Sequence, residues 1–188
     1  MTYGLETARL RLRQWTEADK APFAQLNADA RVMEFFPQAL SRQESDALAE
    51  RSTHAIATRG WGWWAVEVKD EHRFIGFVGL NSPSAELPFS PCVEVGWRLD
   101  YPYWGKGYAT EAAKAAIAFG FDVLKLDNIV AFTTLNNQRS QAVMRRIGMQ
   151  RSPHTFMHPS VSAGCELQEH CLYELSKADW HSVRHLKT

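Results

Sequence analysis

The segment that most constrains this fold is a glycine-containing turn at residues 104–111, with the sequence Trp-Gly-Lys-Gly-Tyr-Ala-Thr-Glu. Residues 92–99 before it have the composition of a strand, and the residues after it have a helical pattern as far as about 124. Gly105 and Gly107 therefore lie between a strand end and a helix start. The first N–H groups of a helix lack partners within it, and the helix dipole adds partial positive charge there. Because glycine also lets a ligand approach the backbone, the pattern predicts a phosphate-binding site.

The helix after this turn has an uninterrupted apolar stripe at helical spacing. Its members are Ala109, Ala112, Ala113, Ala116, Ile117, Gly120, Phe121 and Leu124. Two other phosphate motifs are excluded, because the chain has no Gly-x-x-x-x-Gly-Lys-Ser/Thr and no third glycine of a dinucleotide fingerprint follows Gly107. A Gly-Lys-Gly turn is common, so the prediction depends on the flanking strand and helix.

Periodicity and capping residues predict an α/β chain with a mixed sheet, since a strand–helix–strand unit needs a parallel crossover and hairpins need antiparallel pairs. The predicted strands are residues 9–15, 63–68, 73–80, 92–99, 128–134, 149–156 and 168–175. The predicted helices are residues 16–27, 41–58, 108–124 and 137–147, with a loop at 81–91. The segment 61–64 contains three tryptophans, and strand alternation would bury Trp61 and Trp63 and leave Trp64 on the other face. One of these tryptophans could then line an acceptor pocket or a subunit contact. Packing in the core is the simpler interpretation.

Two blocks of the chain resemble the GNAT N-acetyltransferase superfamily, and within it the branch of the ribosomal-protein alanine N-acetyltransferases. The first block is residues 93–99 with 103–112, in which residues 104–109 match the family's Gln/Arg-x-x-Gly-x-Gly/Ala loop except that Trp104 replaces Gln/Arg. The second is Asn137-x-x-Ser140 followed by residues 143–149, which resembles the family's Asn-x-x-Ser…Leu-Gly-Phe/Met segment. Two blocks in this order are more specific than either alone.

The resemblance implies one N-acetyltransferase domain over residues 1–188, with a mixed central β-sheet flanked by helices and an acetyl-CoA-binding core at about 92–150. It implies acetyl-CoA as cosubstrate, no metal, and direct acetyl transfer to a primary amine of a protein N-terminus or a small molecule. The residues expected to bind the cofactor are Trp97, Leu99, Trp104, Gly105, Lys106, Gly107, Tyr108, Ala109, Thr110, Asn137 and Ser140.

Three residues are candidates for the proton transfers that this reaction needs. The amine must be neutral to attack, which favours a base, and a hydroxyl donor would help the thiolate to leave. Glu94 lies in the strand before the glycine turn, where several relatives carry a catalytic glutamate. It is either the general base or a solvated residue on the outer face of the strand. His170 is a weaker candidate for the base. Ser140 or Tyr173 would be the acid, unless Ser140 only starts a helix that Asn137 caps and Tyr173 is a core tyrosine.

Composition and charge argue against several other classes of function. Lys plus Arg and Asp plus Glu are each 21, and this zero net charge argues against a general nucleic-acid binder. The chain has no signal-like amino end and no apolar run of ~18 residues, so we expect a cytoplasmic protein without a membrane partner. The three cysteines, Cys92, Cys165 and Cys171, favour reduced thiols, and the histidine pairs at four-residue spacing lie beside prolines or in a polar tail, which argues against a metal site.

Two alternatives to an enzyme remain: a non-catalytic acyl-CoA-binding or sensor domain, and a phosphate-binding protein unrelated to acyl transfer. Release of CoA in the presence of an amine separates them. The acceptor is open among protein N-termini, free amino acids, polyamines and aminoglycosides, because residues 19–58 and 81–91, which would form its pocket, carry no motif. The oligomeric state, including a homodimer, is also open.

Overall fold

The structure is a computed structural model that describes residues 4–185. Eight strands and five α-helices follow one another along these residues. They are β1 Leu5–Glu6, β2 Leu10–Arg13, α1 Lys20–Ala28, α2 Arg42–Arg59, β3 Trp63–Val68, β4 Arg73–Asn81, β5 Glu94–Leu99, α3 Tyr108–Asp122, β6 Asn128–Thr134, α4 Gln138–Arg146, β7 Gln150–Met157, β8 Glu169–Ser176 and α5 Lys177–His185.

The first of two compact units contains the described residues up to Leu80 together with Gly96–Ala116. In it, β1 to β4 pair antiparallel in chain order, with Leu12 opposite Val66 and Trp64 opposite Val78. These four side chains are buried, so the alternating residues of the strands form the apolar core of this unit. Helices α1 and α2 are joined by a buried hydrogen bond in which Asn27 Nδ2 donates to Ser45 Oγ at 2.9 Å.

The second unit contains Asn81–Val95 and the described residues from Ile117 onwards. The start of β5 pairs parallel with β6, where Glu94 is opposite Val130. Strand β8 pairs antiparallel with both β6 and β7. This sheet region is therefore mixed, and the predicted α/β fold with a mixed sheet flanked by helices is confirmed. Strand β5 and helix α3 contribute residues to both units, and the expectation of one domain over residues 1–188 stays a prediction.

Local sequence signals predicted most element bounds. Strands β3 and β6 have the expected bounds, and α2 begins with a capping box in which the Ser41 N–H donates to Glu44 at 2.7 Å and the Glu44 N–H donates to Ser41 Oγ at 3.2 Å. This helix ends at Gly60 in the left-handed conformation, with φ 87°.

Three sequence expectations differ from the structure. Residues 17–19 form a 3-10 turn before α1, and the short strand β1 and helix α5 were not expected. The tail containing His181 is thus helical. Trp64 is fully buried while Trp61 and Trp63 are partly exposed, the reverse of the expected alternation, because the face of β3 that carries Trp64 packs into the core.

Candidate functional site

The turn before α3 has the backbone conformation that a close ligand approach requires. Gly105 and Gly107 have φ angles of 73° and 82°, in the left-handed region that side chains disfavour. A Cβ atom added at Gly105 would meet nothing within 4 Å, so this side of the turn is open. A Cβ at Gly107 would lie 3.4 Å from Nη2 of Arg9. Residues 105–107 are exposed, whereas Tyr108, the first residue of α3, is partly buried.

The N–H groups of this turn are available to an anion. The first hydrogen bond of α3 runs from the Glu111 N–H to the Gly107 carbonyl at 3.0 Å. Across the described chain, no backbone carbonyl accepts a hydrogen bond from the N–H groups of residues 105–110. Successive free N–H groups at a helix start, with open space over a left-handed glycine, fit the oxygens of a pyrophosphate such as that of a CoA thioester.

Aromatic side chains hold this turn in place. Trp104 Nε1 donates to the Leu99 carbonyl at 2.7 Å, which joins the turn to the end of β5. Lys106 Nζ lies 5.1 Å from the centroid of the Tyr103 ring, and the Tyr103 hydroxyl donates to Glu71 at 2.8 Å. The tryptophan that departs from the family motif therefore supports the backbone of the turn.

An ion pair neutralises the carboxylate at the start of α3. Arg9 Nε donates to Glu111 Oε2 at 2.7 Å, and Thr7 Oγ1 donates to Glu111 Oε1 at 2.6 Å. Arg9 also donates through Nη1 to the Lys106 carbonyl at 3.0 Å and stacks 4.5 Å above the Tyr108 ring centroid. Burial raises the pKa of Glu111, but the hydrogen bonds from Thr7 and Arg9 outweigh it and lower the pKa below its usual value. Without Arg9, this carboxylate would repel an anion at the helix start.

Glu94, at the start of β5, is a partly buried carboxyl group with a single hydrogen-bond donor among the described residues. Asn81 Nδ2 donates to Glu94 Oε1 at 3.0 Å. Burial raises the Glu94 pKa to about 7, and the hydrogen bond from Asn81 only partly offsets this. A carboxyl group that titrates near neutral pH has the acidity expected of a general base.

Asn137 caps α4, as the sequence suggested. Its Oδ1 accepts from the Ser140 N–H at 3.1 Å, and its Nδ2 donates to Thr133 Oγ1 at 3.0 Å. Ser140 therefore lies in the first turn of α4, directly beside Asn137, and is partly exposed. The cap interpretation of Asn137 is supported, and its expected contact with the cofactor stays a prediction.

Tyr173 on β8 lies in the core, with 1% of its surface exposed. Its hydroxyl donates to Gln141 Oε1 at 3.2 Å and accepts from Arg145 Nη1 at 3.2 Å. Because the only hydroxyl proton is already donated to Gln141, this geometry favours the packing alternative for Tyr173 and leaves Ser140 as the better acid candidate.

The predicted residues divide between the two units. Leu99 and residues 104–110 form one continuous feature of the first unit, and Trp97 is partly exposed on β5 two residues before Leu99. In the second unit, Asn137 and Ser140 are adjacent. Tyr173 is linked to the same helix, α4, by its hydrogen bonds.

Sequence reasoning missed Arg98, a partly buried cation on β5. Its Nη1 donates to Asn27 Oδ1 at 2.7 Å, whereas its Nε is inaccessible to solvent and has no partner within residues 4–185. Burial lowers the Arg98 pKa to about 10, so the guanidinium remains charged at neutral pH. A buried charged donor without a partner is costly, on the order of 1–3 kcal/mol or more. The only signal in the sequence was a second charged residue, besides Glu94, in the short strand β5.

Neither a metal cluster nor a membrane span is found in the described part of the chain. Residues 4–185 contain no group of three or more His, Cys, Asp or Glu side chains suited to a metal ion. None of the helices there is long and apolar enough to cross a bilayer. Cys92, Cys165 and Cys171 are free thiols.

Comparisons with known proteins agree with this geometry. A family model described as an acetyltransferase (GNAT) domain matches residues 9–150. The chain is 26% identical over 178 residues to YnaD, an uncharacterized N-acetyltransferase of Bacillus subtilis, covering 94% of this chain and 99% of that protein. It is 27% identical over 184 residues to the FsC-acetyl coenzyme A-N(2)-transacetylase of Aspergillus fumigatus, covering 94% and 77% respectively.

Solved structures show the same fold. A GNAT-family acetyltransferase from Bacillus anthracis superimposes with a TM-score of 0.77 at 24% identity, covering 94% of this chain and 99% of that one. RimL, a ribosomal L7/L12 alpha-N-protein acetyltransferase solved with coenzyme A, superimposes with a TM-score of 0.72 at 18% identity, covering 93% and 98%.

Proposed function

Because the chain belongs to the GNAT acetyltransferase family, we propose that it transfers the acetyl group of acetyl-CoA directly to a primary amine, on a small molecule or a protein N-terminus. The observation that carries this proposal is the open turn at Gly105 and Gly107, with free N–H groups before α3. These N–H groups would bind the pyrophosphate of acetyl-CoA. Asn137 and Ser140 would contact the same cosubstrate, as the family resemblance implies.

Acetyl-CoA supplies a thioester, whose carbonyl carbon is open to attack by a neutral amine. A bond forms between the amine nitrogen and the carbonyl carbon, the C–S bond breaks, and CoA leaves as a thiolate. Glu94 accepts the proton that the amine loses, directly or through water. The raised pKa of Glu94 supports this role, because a base that titrates near the working pH is both ionised and basic enough to act.

Ser140 is the proposed acid that protonates the CoA thiolate as it departs, so that CoA is released as the thiol, and the Ser140 hydroxyl regains a proton from water. Its position in the first turn of α4 and its partial exposure support this assignment over Tyr173, whose proton is held by Gln141. No covalent intermediate on the protein is needed, because the amine attacks the thioester itself.

The test is an assay of free CoA thiol with acetyl-CoA and a panel of amino acids, peptides, polyamines and aminoglycosides. We expect thiol release that depends on an amine and on protein concentration. Saturable acetyl-CoA binding without release would instead identify an acyl-CoA-binding domain. If acetyl-CoA neither binds nor releases its thiol, the assignment of the turn at residues 105–107 to acetyl-CoA binding is contradicted.

A further inference from the structure

Arg98 lies in a cluster of side chains that fixes it without neutralising it. Its Nη1 donates to Asn27 Oδ1, and Asn27 is oriented by its own donation to Ser45 Oγ at 2.9 Å. No carboxylate of residues 4–185 forms an ion pair with Arg98, and burial alone displaces its pKa. The Arg98 Nε–H group is therefore buried, and no acceptor in residues 4–185 pairs with it.

A second buried donor belongs to the same cluster. The indole N–H of Trp63 is inaccessible to solvent and has no acceptor among the residues that the structure describes. It lies above Gly96, because a Cβ atom placed at Gly96 would be 3.4 Å from Trp63 Nε1. Strand alternation puts Gly96 and Arg98 on one face of β5, so both unpartnered donors lie over that face.

Aromatic rings complete this cluster. The Arg98 guanidinium carbon lies 4.1 Å from the Phe36 ring centroid and 5.5 Å from that of Phe77. The Trp63 ring also stacks on Phe77, with the two ring centroids 4.9 Å apart. Phe36 has 38% of its surface exposed, so this ring of the cluster lies at the protein surface.

We propose that Arg98 and Trp63 bind a carboxylate of the amine acceptor, so that the preferred acceptors are amino acids or acidic peptides. This inference rests on the proposed acetyltransferase function. The planar Nε edge of a guanidinium offers parallel N–H donors that match the two oxygens of a carboxylate, and the indole N–H adds a third donor. A polyamine or an aminoglycoside would bring further positive charge to a buried cation, which disfavours both classes.

The experiment compares acceptors that differ only in this group. The probes are ω-amino carboxylates of increasing length and α-amino acids, each paired with its carboxamide, and kcat/KM is measured for every pair. We expect the carboxylate of the best pair to be preferred at least about tenfold, which corresponds to ~1.4 kcal/mol. Arg98→Met should remove this preference, and Trp63→Phe should reduce it.

The control is Arg31→Met. Arg31 also stacks on an aromatic ring, 4.0 Å from the Tyr101 centroid, but it is exposed and pairs with Asp29. This variant should keep the preference. A direct measurement needs no turnover: glutarate should raise the Tm of the wild type and of Arg31→Met, but not that of Arg98→Met. Arg98→Lys, which keeps the charge, serves as a second variant if Arg98→Met does not fold.

The outcomes separate this inference from the proposed function. Acetylation of amines with equal kcat/KM for carboxylate and carboxamide, or a preference that survives Arg98→Met, would overturn the carboxylate site and leave the acetyltransferase assignment intact. Preference for a polyamine over every carboxylate would do the same. No acetylation of any amine and no binding of acetyl-CoA would overturn the proposed function instead.

Discussion

Replacing Glu94 with glutamine should remove catalysis and stabilise the fold at the same time. Glutamine keeps the oxygen that accepts from Asn81 Nδ2 but cannot ionise or accept the amine proton. We expect kcat at pH 8 to fall by about 10²-fold, the usual contribution of a positioned base, with the Kd for acetyl-CoA unchanged. Below about pH 7, where Glu94 becomes protonated, the wild-type kcat/KM should fall by a further factor of about ten per pH unit, in addition to the loss caused by protonation of the amine, and the variant should lose this inflection.

The stability effect follows from the raised pKa. Burial moves the Glu94 pKa from 4.5 to about 7, and at ~1.36 kcal/mol per pKa unit this amounts to about 3 kcal/mol. A carboxyl group with a raised pKa in the folded state stabilises the fold below its unfolded pKa of 4.5, and this contribution is lost as the pH rises through about 7. Between pH 5.5 and 8.5 the wild type should lose about 2 kcal/mol of unfolding free energy through Glu94, and the Glu94→Gln variant should not.

Urea unfolding at pH 5.5 and at pH 8.5 measures this difference. Glu174→Gln is the matched control, because Glu174 also lies on a strand of the second unit but is exposed, so its loss should leave both the pH dependence and the rate unchanged. A Glu94→Gln variant that is less stable than the wild type at pH 8.5, or that keeps the inflection near pH 7, would refute the reasoning and make Glu94 a structural residue.

Three further predictions concern the turn at residues 105–107 and its neighbours. Gly107→Val forces a side chain into a left-handed backbone conformation, which costs ~1–2 kcal/mol, and should weaken CoA binding about tenfold. Lys106→Ala should weaken CoA binding less. Equal losses of affinity in a CoA titration would show that the lysine charge dominates. Arg9→Met leaves the Glu111 carboxylate unneutralised at the helix start and should weaken CoA binding several-fold, on the order of 1 kcal/mol. The double variant Arg9→Met/Glu111→Gln should recover part of this affinity. If it binds CoA as weakly as Arg9→Met, repulsion between Glu111 and the ligand is not the cause. Asn137→Ala should lower the unfolding free energy by ~1 kcal/mol, because α4 loses its cap. Asn137→Ser should keep the cap. A raised KM for acetyl-CoA in the serine variant would therefore report the cofactor contact alone.

Features that depend on neighbouring residues could be predicted from the sequence. The glycine turn before α3, the capping box at Ser41 and the cap at Asn137 each involve residues within a few positions, and the structure contains all three. The hydrophobic period likewise predicted β3 and β6. Local order was therefore enough to locate this glycine turn.

Features that depend on distant residues could not be predicted. The bond from Arg98 to Asn27 joins residues 71 positions apart, and no periodicity in either segment signals it. The Thr7 contact with Glu111 spans 104 positions. The burial of Trp64 was misjudged because alternation gives two faces but does not say which one meets the core. The Glu94 pKa also depends on burial, which the sequence does not specify.

The contacts of Thr7 and Arg9 make the amino-terminal segment a reporter of the glycine turn at residues 105–107. Both residues hold Glu111, and Arg9 holds the Lys106 carbonyl, although they precede this turn by about a hundred positions. Any ligand that orders the turn should therefore also protect this segment from proteases. By reciprocity, proteolytic removal of the residues up to Arg9 should weaken the binding of that ligand. A limited digest with and without CoA would thus follow cofactor binding through a segment that lies about a hundred positions earlier in the sequence.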